Sequence, residues 1–342
     1  MKNFIFKTKP YAHQLKAFEI SAEAENFALL MDMGTGKTKV CIDSIAHNFE
    51  EKRIVFSLIV APKGVIANWI SEIGAHLPDH IERQVVLWKP SLTKAKRKEL
   101  LDLSEPSPKL KILLMNIEAF STKKGTDVAS FFVKKFSTFI VVDESTTIKN
   151  RQAKRTKALC SIGESAQFRR ILTGSPVTKS PLDLYSQMNF LDPRILGFKS
   201  FYAFQGRYAV VQRRTMGSHS FNHIVGFQRL DELTEKLKPC SYRIRKEDCL
   251  DLPDKVYTSR QVELTKEQEK AYIQMRHLAL ARLEKGEMAT TKNVLTQIMR
   301  LQQICLGHLT DDEGLVHEIQ SNRLTELLNI CEEIQGKAII WA

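Results

Sequence analysis

Between residues 26 and 192 the chain repeatedly offers a run of strand length that is apolar almost throughout, then a stretch of helical periodicity. The runs are FALLM (27–31), IVFSLIVAP (54–62), LKILLMN (110–116), STFIVVDE (137–144) and FRRILTG (168–174). A strand with one wet face alternates apolar and polar residues, so a strand apolar at successive positions has to be buried on both faces. In GVIANWISEIGAHL, the residues Val65, Ile66, Trp69, Ile70 and Ile73 recur at spacings of three and four, an apolar stripe suited to covering such a sheet. The pattern predicts an α/β fold, a doubly wound parallel sheet with helices on both faces. Polar residues follow each run, at the carboxyl edge where these folds place ligands.

After Pro193 the character changes. Residues 197–230 are richer in aromatics, Gly and His, with weaker periodicity. LDELTEKLKP (230–239) reads as a helix stopped by Pro239, and LPDKVYTSRQVEL (252–264) alternates like a strand. Thr265 caps a long helical run closed by Gly286, and NVLTQIMRLQQICLGHL and SNRLTELLNICEEIQG read as two further helices. KAIIWA (337–342) has strand character.

Two stretches at strand ends carry chemistry. In MDMGTGKT (31–38), Gly34, Thr35 and Gly36 let the backbone turn its N–H groups inward, and the following helix adds its positive end. Lys37 is placed to reach β and γ phosphates, and the Thr38 hydroxyl to ligate Mg²⁺. The strict P-loop pattern has Gly where Met31 stands, so this is a variant form. FIVVDE supplies the complement: Asp143 to hold Mg²⁺, and Glu144 to orient and deprotonate an attacking water. Together they predict one Mg·ATP site.

Charge narrows the partner. Lys and Arg number 51 against 39 acids, a formal net charge of +12, which favours a polyanion, nucleic acid first. Residues 149–170 hold seven basic side chains against one acid, Glu164, and residues 89–98 hold five against none. No apolar run approaches the roughly 20 residues of a membrane span, and the N-terminus has no signal-peptide core, so the expectation is a cytoplasmic protein without membrane partners. None of the six cysteines has C-x-x-C spacing, and His219 and His223 with Cys240 and Cys249 fit no common metal site.

P-loop proteins are diverse, and the remaining segments discriminate among them. YAHQ (11–14) resembles the adenine-reading Gln motif of superfamily-two helicases, and MGTGKT (33–38) resembles their motif I. LIVAPKGVIANWISEI (58–73) resembles the Ia segment of Swi/Snf-type DNA translocases, and LLMNIEAF (113–120) is similar to Ib. DESTTIKN (143–150) resembles motif II, and LTGSPVTKSPLDLYSQMNFLDP (172–193) resembles motif III with its trailing helix. YRIRKEDCLDLPDK (242–255) is similar to the link between the family's lobes. The resemblance runs along essentially the whole chain in the family's order.

That resemblance implies a RecA-like ATP-binding lobe over 1–195, a mostly helical inter-lobe segment over 196–335, and the first strand of a second lobe over 336–342. It implies that Gln14 reads adenine, and that Thr173 and Ser175 couple the ATP state to grip on double-stranded DNA. Lys63 and Asn116 fall where the family touches the DNA backbone, with ordinary exposed loop residues as the competing reading. Lys149 and Arg151 open a basic stretch that is either a DNA track or a solvated helix face. Thr146 stands where the family has His in motif II. Compactness points to a bacterial or phage-type member, in the cytoplasm near the nucleoid; a eukaryotic member would be nuclear.

The family's arginine finger lies on the second lobe, and such an Arg contributes about 10³–10⁵ in rate. The expectation is therefore half a motor, a DNA-dependent ATPase once a second lobe or partner chain supplies that Arg. The alternative is a non-hydrolysing ATP- and DNA-binding module. A P-loop kinase would explain neither motif III nor the basic surface.

Overall fold

The apolar runs pair side by side. In the computed structural model, which describes residues 4–91, 93–216, 219–249, 251, 253, 255–284, 291–311 and 313–341, they form the centre of a parallel sheet. Its strands are β1 (Asn26–Met31), β2 (Phe56–Ala61), β3 (Arg83–Leu87), β4 (Leu110–Asn116), β5 (Thr138–Asp143) and β6 (Phe168–Leu172). After β6 come a two-stranded hairpin of β7 (Ala209–Met216) and β8 (His219–Phe227), and then β9 (Ser241–Ile244), which joins the main sheet. The order across the sheet is β3-β4-β2-β5-β6-β1-β9, with every neighbouring pair parallel.

Alternation along each strand sends side chains to two separate cores. Leu58, Val60, Ile140 and Val142 face one side, while Ile59, Ala61, Phe139 and Val141 face the other. On the second side lie α1 (Ala12–Ser21), α2 (Lys37–Glu50) and α3 (Ile66–His76), contributing Phe18, Ile45 and Trp69. On the first lie α4 (Lys94–Ser104), α5 (Lys123–Lys135), α6 (Lys154–Gly163), α7 (Leu184–Leu191), α8 (Phe201–Tyr208) and α9 (Leu230–Leu237). The doubly wound α/β reading holds.

The compact unit built on this sheet runs to Leu252, beyond the expected boundary at 195. The physical reason is β9: Ser241 to Ile244 pair with Ala28 to Met31, closing the sheet beside the β1–α2 loop. Phe204, Tyr208 and Leu233 are buried in the same core.

Residues from Pro253 onward form a second unit. It contains α10 (Lys266–Glu284), α11 (Thr291–Leu306), β10 (His308–Thr310), β11 (Val316–Glu318) and α12 (Arg323–Glu333). Thr265 caps α10 as expected: its hydroxyl accepts from the Gln268 N–H at 3.2 Å, and its own N–H donates to Gln268 Oε1 at 3.1 Å. The Gly286 stop lies outside the described residues. Two strand readings do not hold. Residues 255–264 join no strand ladder among the described residues, and Val256 and Tyr257 are 83% and 87% exposed. Residues 337–341 are likewise irregular. Among the described residues no helix is long and apolar enough to cross a membrane.

One buried charge ties α1 to the sheet. Arg170, on β6, is fully buried with no carboxylate beside it. Its guanidinium donates to the carbonyls of Glu25 (3.1 Å), Arg169 (3.0 Å), Ala24 (2.5 Å) and Ser21, and stacks 4.9 Å from the Phe139 centroid. Burial pushes it down to about 10, still protonated at neutral pH. Arg170→Met removes the donors and strands these carbonyls, so unfolding free energy should fall by about 3 kcal/mol. A urea midpoint unchanged from the parent would show that the carbonyls find other partners.

Candidate active site

The loop from β1 to α2 is knotted around one carbonyl. The oxygen of Asp32 accepts the Thr35 hydroxyl at 2.7 Å, the Lys37 ammonium at 3.1 Å and the Thr35 N–H at 3.3 Å. Gly34 and Gly36 take φ of +82° and +86°, which L side chains resist. A methyl on Gly36 would also sit 2.1 Å from Gln14 Nε2. From outside, the Gln14 amide (3.1 Å) and the His13 ring (2.8 Å) both meet the Thr35 carbonyl, and the Tyr11 N–H donates to Gln14 Oε1 at 3.0 Å. Both ends of the Gln14 carboxamide thus hold the chain itself, each through one of the two bonds it can make. Strand β9 braces the other side, with Asp32 N–H donating to the Ile244 carbonyl and Lys246 N–H to Asp32 Oδ2, each at 3.1 Å.

Two strands over, β5 delivers Asp143 and Glu144 to the same edge. Asp143 is buried, with Oδ2 accepting the Trp69 indole N–H at 2.8 Å and Oδ1 accepting the Glu144 N–H at 2.9 Å. Burial raises its carboxyl, and those two bonds and Lys37 pull it back. Burial also raises Glu144, and the neighbouring Asp143 adds to the rise. Lys37 moves the opposite way: burial lowers it, against Glu144, Asp143 and Asp32. The three side chains therefore share one desolvated field, as catalytic groups do. Glu144 is also held at φ +46°, uncommon for a residue with a side chain. Thr38 follows Lys37 in the first turn of α2, half-buried.

An SNF2-related domain matches residues 13–308. The chain belongs to that family. An uncharacterized ATP-dependent helicase of Mycoplasma genitalium is 28% identical over 304 residues, covering 88% of this chain and 26% of that protein. The TATA-binding protein-associated factor MOT1 of Saccharomyces cerevisiae is 28% identical over 296 residues, 81% of this chain and 15% of its own length. The chain thus spans about a quarter or less of these relatives. The fold is that of the Sulfolobus solfataricus SWI2/SNF2 ATPase core solved with dsDNA, with a TM-score of 0.55 and 24% identity over 97% of this chain and 66% of that one. This is an SNF2-family, ATP-dependent-helicase-like domain, and its family uses nucleotide.

In this SNF2-related domain the segment after β6 is laid directly on the β1–α2 loop. A methyl on Gly174 would lie 3.3 Å from the Met33 nitrogen. Thr173 is buried, with its hydroxyl accepting the Ser175 N–H at 3.2 Å, while Ser175 itself is exposed. A link that the sequence reading missed joins this loop to the acids. Buried Gln187 accepts the Ser145 hydroxyl at 2.6 Å and donates to the carbonyls of Pro176 (2.8 Å) and Asp183 (2.9 Å).

The residues proposed for DNA contact divide. Lys63 is exposed, and Asn116 is half-buried with its amide on Glu118 Oε2 at 2.8 Å. They lie together because Ala61 and Asn116 are register partners on β2 and β4. Lys149 is half-buried against the Thr178 hydroxyl, and Arg151 stacks 4.4 Å from the Phe201 ring and 5.2 Å from Tyr202. Of the basic cluster at 149–170, Arg170 points into the core rather than to any surface track.

Trp69 was legible as an apolar helix position and within the Ia-like segment, not as the partner of Asp143; the clue was that a buried indole needs an acceptor. Trp69→Phe removes that donor and lets burial raise Asp143 further. Mg²⁺-dependent binding of a fluorescent ATP analogue should weaken about tenfold, with binding in EDTA unchanged. The deficit should grow as pH falls, because a protonated carboxyl holds no cation. A Mg²⁺ dependence equal to the parent's at every pH would sink this role.

Proposed function

We propose that this chain is the ATP-binding lobe of a duplex-DNA translocase, hydrolysing ATP with Mg²⁺ in a DNA-dependent manner when a second lobe supplies an arginine to the γ-phosphate. The observation that carries the reading is the convergence of Lys37, Asp143 and Glu144 at one desolvated strand edge. The backbone N–H groups opening α2 would hold the phosphate chain, and Lys37 would exchange the Asp32 carbonyl for the β and γ phosphates. Glu144, its affinity for protons raised by burial, is the base for the attacking water. Asp143 and Thr38 are hard oxygen donors that suit Mg²⁺, a cation that keeps water and phosphate among its ligands. With both Asp143 oxygens already oriented by N–H donors, the site fits that ion. When bound, Mg²⁺ would offset the phosphate charge.

The basic surface, together with the dsDNA in complex with the Sulfolobus solfataricus relative, supports duplex DNA as the track. Gln14 would read adenine, Thr173 and Ser175 would couple nucleotide state to DNA, and Lys63 and Asn116 would touch the backbone. Lys149 and Arg151 would act there by shaping the loop beneath it, given the contacts that hold them.

Phosphate release and binding of the fluorescent ATP analogue test the reading together. Lys37→Ala should weaken Mg·ATP about 10–100-fold, and any DNA-stimulated release should disappear with it. Unchanged nucleotide affinity in Lys37→Ala would refute the site assignment. Binding without turnover, with duplex present and a second lobe added, would instead identify a non-hydrolysing module.

A further inference from the structure

The β7–β8 hairpin buries neither face beyond its base. Residues 210–215 are all exposed, as are Ser220, Asn222 and His223. An isolated two-stranded ribbon is marginal in water, so this one has to be held from its root. The root is stapled. Arg207 pairs with Glu232 at 2.5 Å, the Tyr208 hydroxyl donates to Glu232 Oε1 at 3.1 Å, and the Gln228 N–H donates to the Tyr208 carbonyl at 2.9 Å. Tyr208 itself is fully buried in the sheet core. Opposite Val210 and Val211 a register shift interrupts the ladder and re-aims the distal part. The ribbon is about 25 Å long at 3.3 Å per residue.

Its charge has a single sign. From 193 to 230 the chain contains no Asp or Glu and six Lys or Arg. Charges on an exposed ribbon, Lys above all, commonly block edge-to-edge aggregation, and this ribbon carries Arg rather than Lys. Of these six, Arg194 and Arg207 pair with Asp192 and Glu232, which leaves Arg213 and Arg214 as the ribbon's own cations, and they point to a ligand of the other sign. Partners in register share a face, so Gln212, Arg214 and His223 lie on one side and Arg213 with Asn222 on the other. Arg213 donates to Ser220 Oγ at 2.9 Å, which keeps it spread along the ribbon. A cation on each face matches a groove walled by phosphates on both sides, and a major groove about 12 Å wide admits a two-stranded ribbon. Arg151 stacks on Phe201 and Tyr202 of α8, the helix leading directly into β7, so the basic stretch after β5 continues to the ribbon's root.

We infer that the ribbon of residues 209–227 is a second duplex-DNA contact, inserted into a groove with Arg213 and Arg214 on opposite phosphate walls. The inference rests on the duplex-DNA reading above and adds an element that reading does not use. The test is anisotropy of a fluorescein-labelled duplex of about 20 base pairs at several KCl concentrations, for the full chain and for Arg213→Ala/Arg214→Ala. The double variant should bind roughly tenfold more weakly, and its salt slope should fall by about 2, one per phosphate lost. Arg213→Lys/Arg214→Lys should keep most of the slope. Unaltered affinity of the ATP analogue and an unaltered melting temperature would show the lobe intact. Affinity and slope equal to the parent's in the alanine variant would overturn the inference while leaving the DNA reading standing. A single strand bound equally well through the same arginines would overturn the groove assignment. Failure of the parent chain to bind duplex would remove the DNA reading and the ribbon's role with it.

Discussion

A parallel strand buried on both faces has nowhere along its length to hold a free charge. In this sheet that constraint drives polar chemistry to the carboxyl edge, where strands end and side chains meet solvent. Asp32, Asp143 and Thr173 directly follow or end β1, β5 and β6, and these strands are linked in order through β6. The two charges left inside the sheet show what the alternative demands. Arg170 needs a cage of backbone carbonyls, and Lys111 needs the Glu105 carbonyl and the face of Phe136 at 4.4 Å. Each is a structural post, buried away from the carboxyl edge.

At that edge the loop geometry is set before any ligand is considered. The Asp32 carbonyl gathers three donors, β9 braces the Asp32 carboxylate, and His13 and Gln14 hold Thr35 from the far side. Lys37 is the member of this knot with a weak attachment, one neutral carbonyl beside three acids. On the proposed function, a phosphate chain would offer it more charge, and the ammonium would be the part that moves. Glu144 illustrates the complementary economy: its left-handed backbone costs of order 1–3 kcal/mol and is retained where the carboxylate is aimed.

How much of this was legible depended on whether the cause was local. The five central strands were read to within about two residues, because uninterrupted Val, Ile and Leu leave no other arrangement. β3 and β9 were missed, for RQVVL and SYRI are edge strands, half-wet and partly polar, whose only warrant is a neighbour far away in sequence. The same limit hid the extent of the compact unit: nothing local in SYRI says that it returns to β1. Conversely, 255–264 has the alternation of a strand and lacks the partner. In the site, Lys37, Asp143 and Glu144 stood out because phosphate and metal chemistry demands those residues at strand ends. Trp69, 74 residues from Asp143, did not, since periodicity reports that a side chain is buried and not whom it meets. Gln14 was found by its motif, but its bonds to the loop follow from the approach of α1 to α2.

The substitution of Thr146 for a family histidine looks like a broken connection until the buried neighbours are considered. Ser145, one residue earlier, reaches Gln187 on α7, and Gln187 grips the loop at Pro176. Asp183 fastens the same loop further on, accepting the Thr178 hydroxyl and the N–H groups of Thr178 and Lys179 at 2.8–3.0 Å. Moving the loop relative to the acids would leave a fully buried carboxamide without partners, at about 1–3 kcal/mol for each group stranded. Small independent displacements are therefore resisted more strongly than a concerted one. The loop after β6 and the acid pair after β5 behave as one body by packing alone, whatever residue stands at position 146.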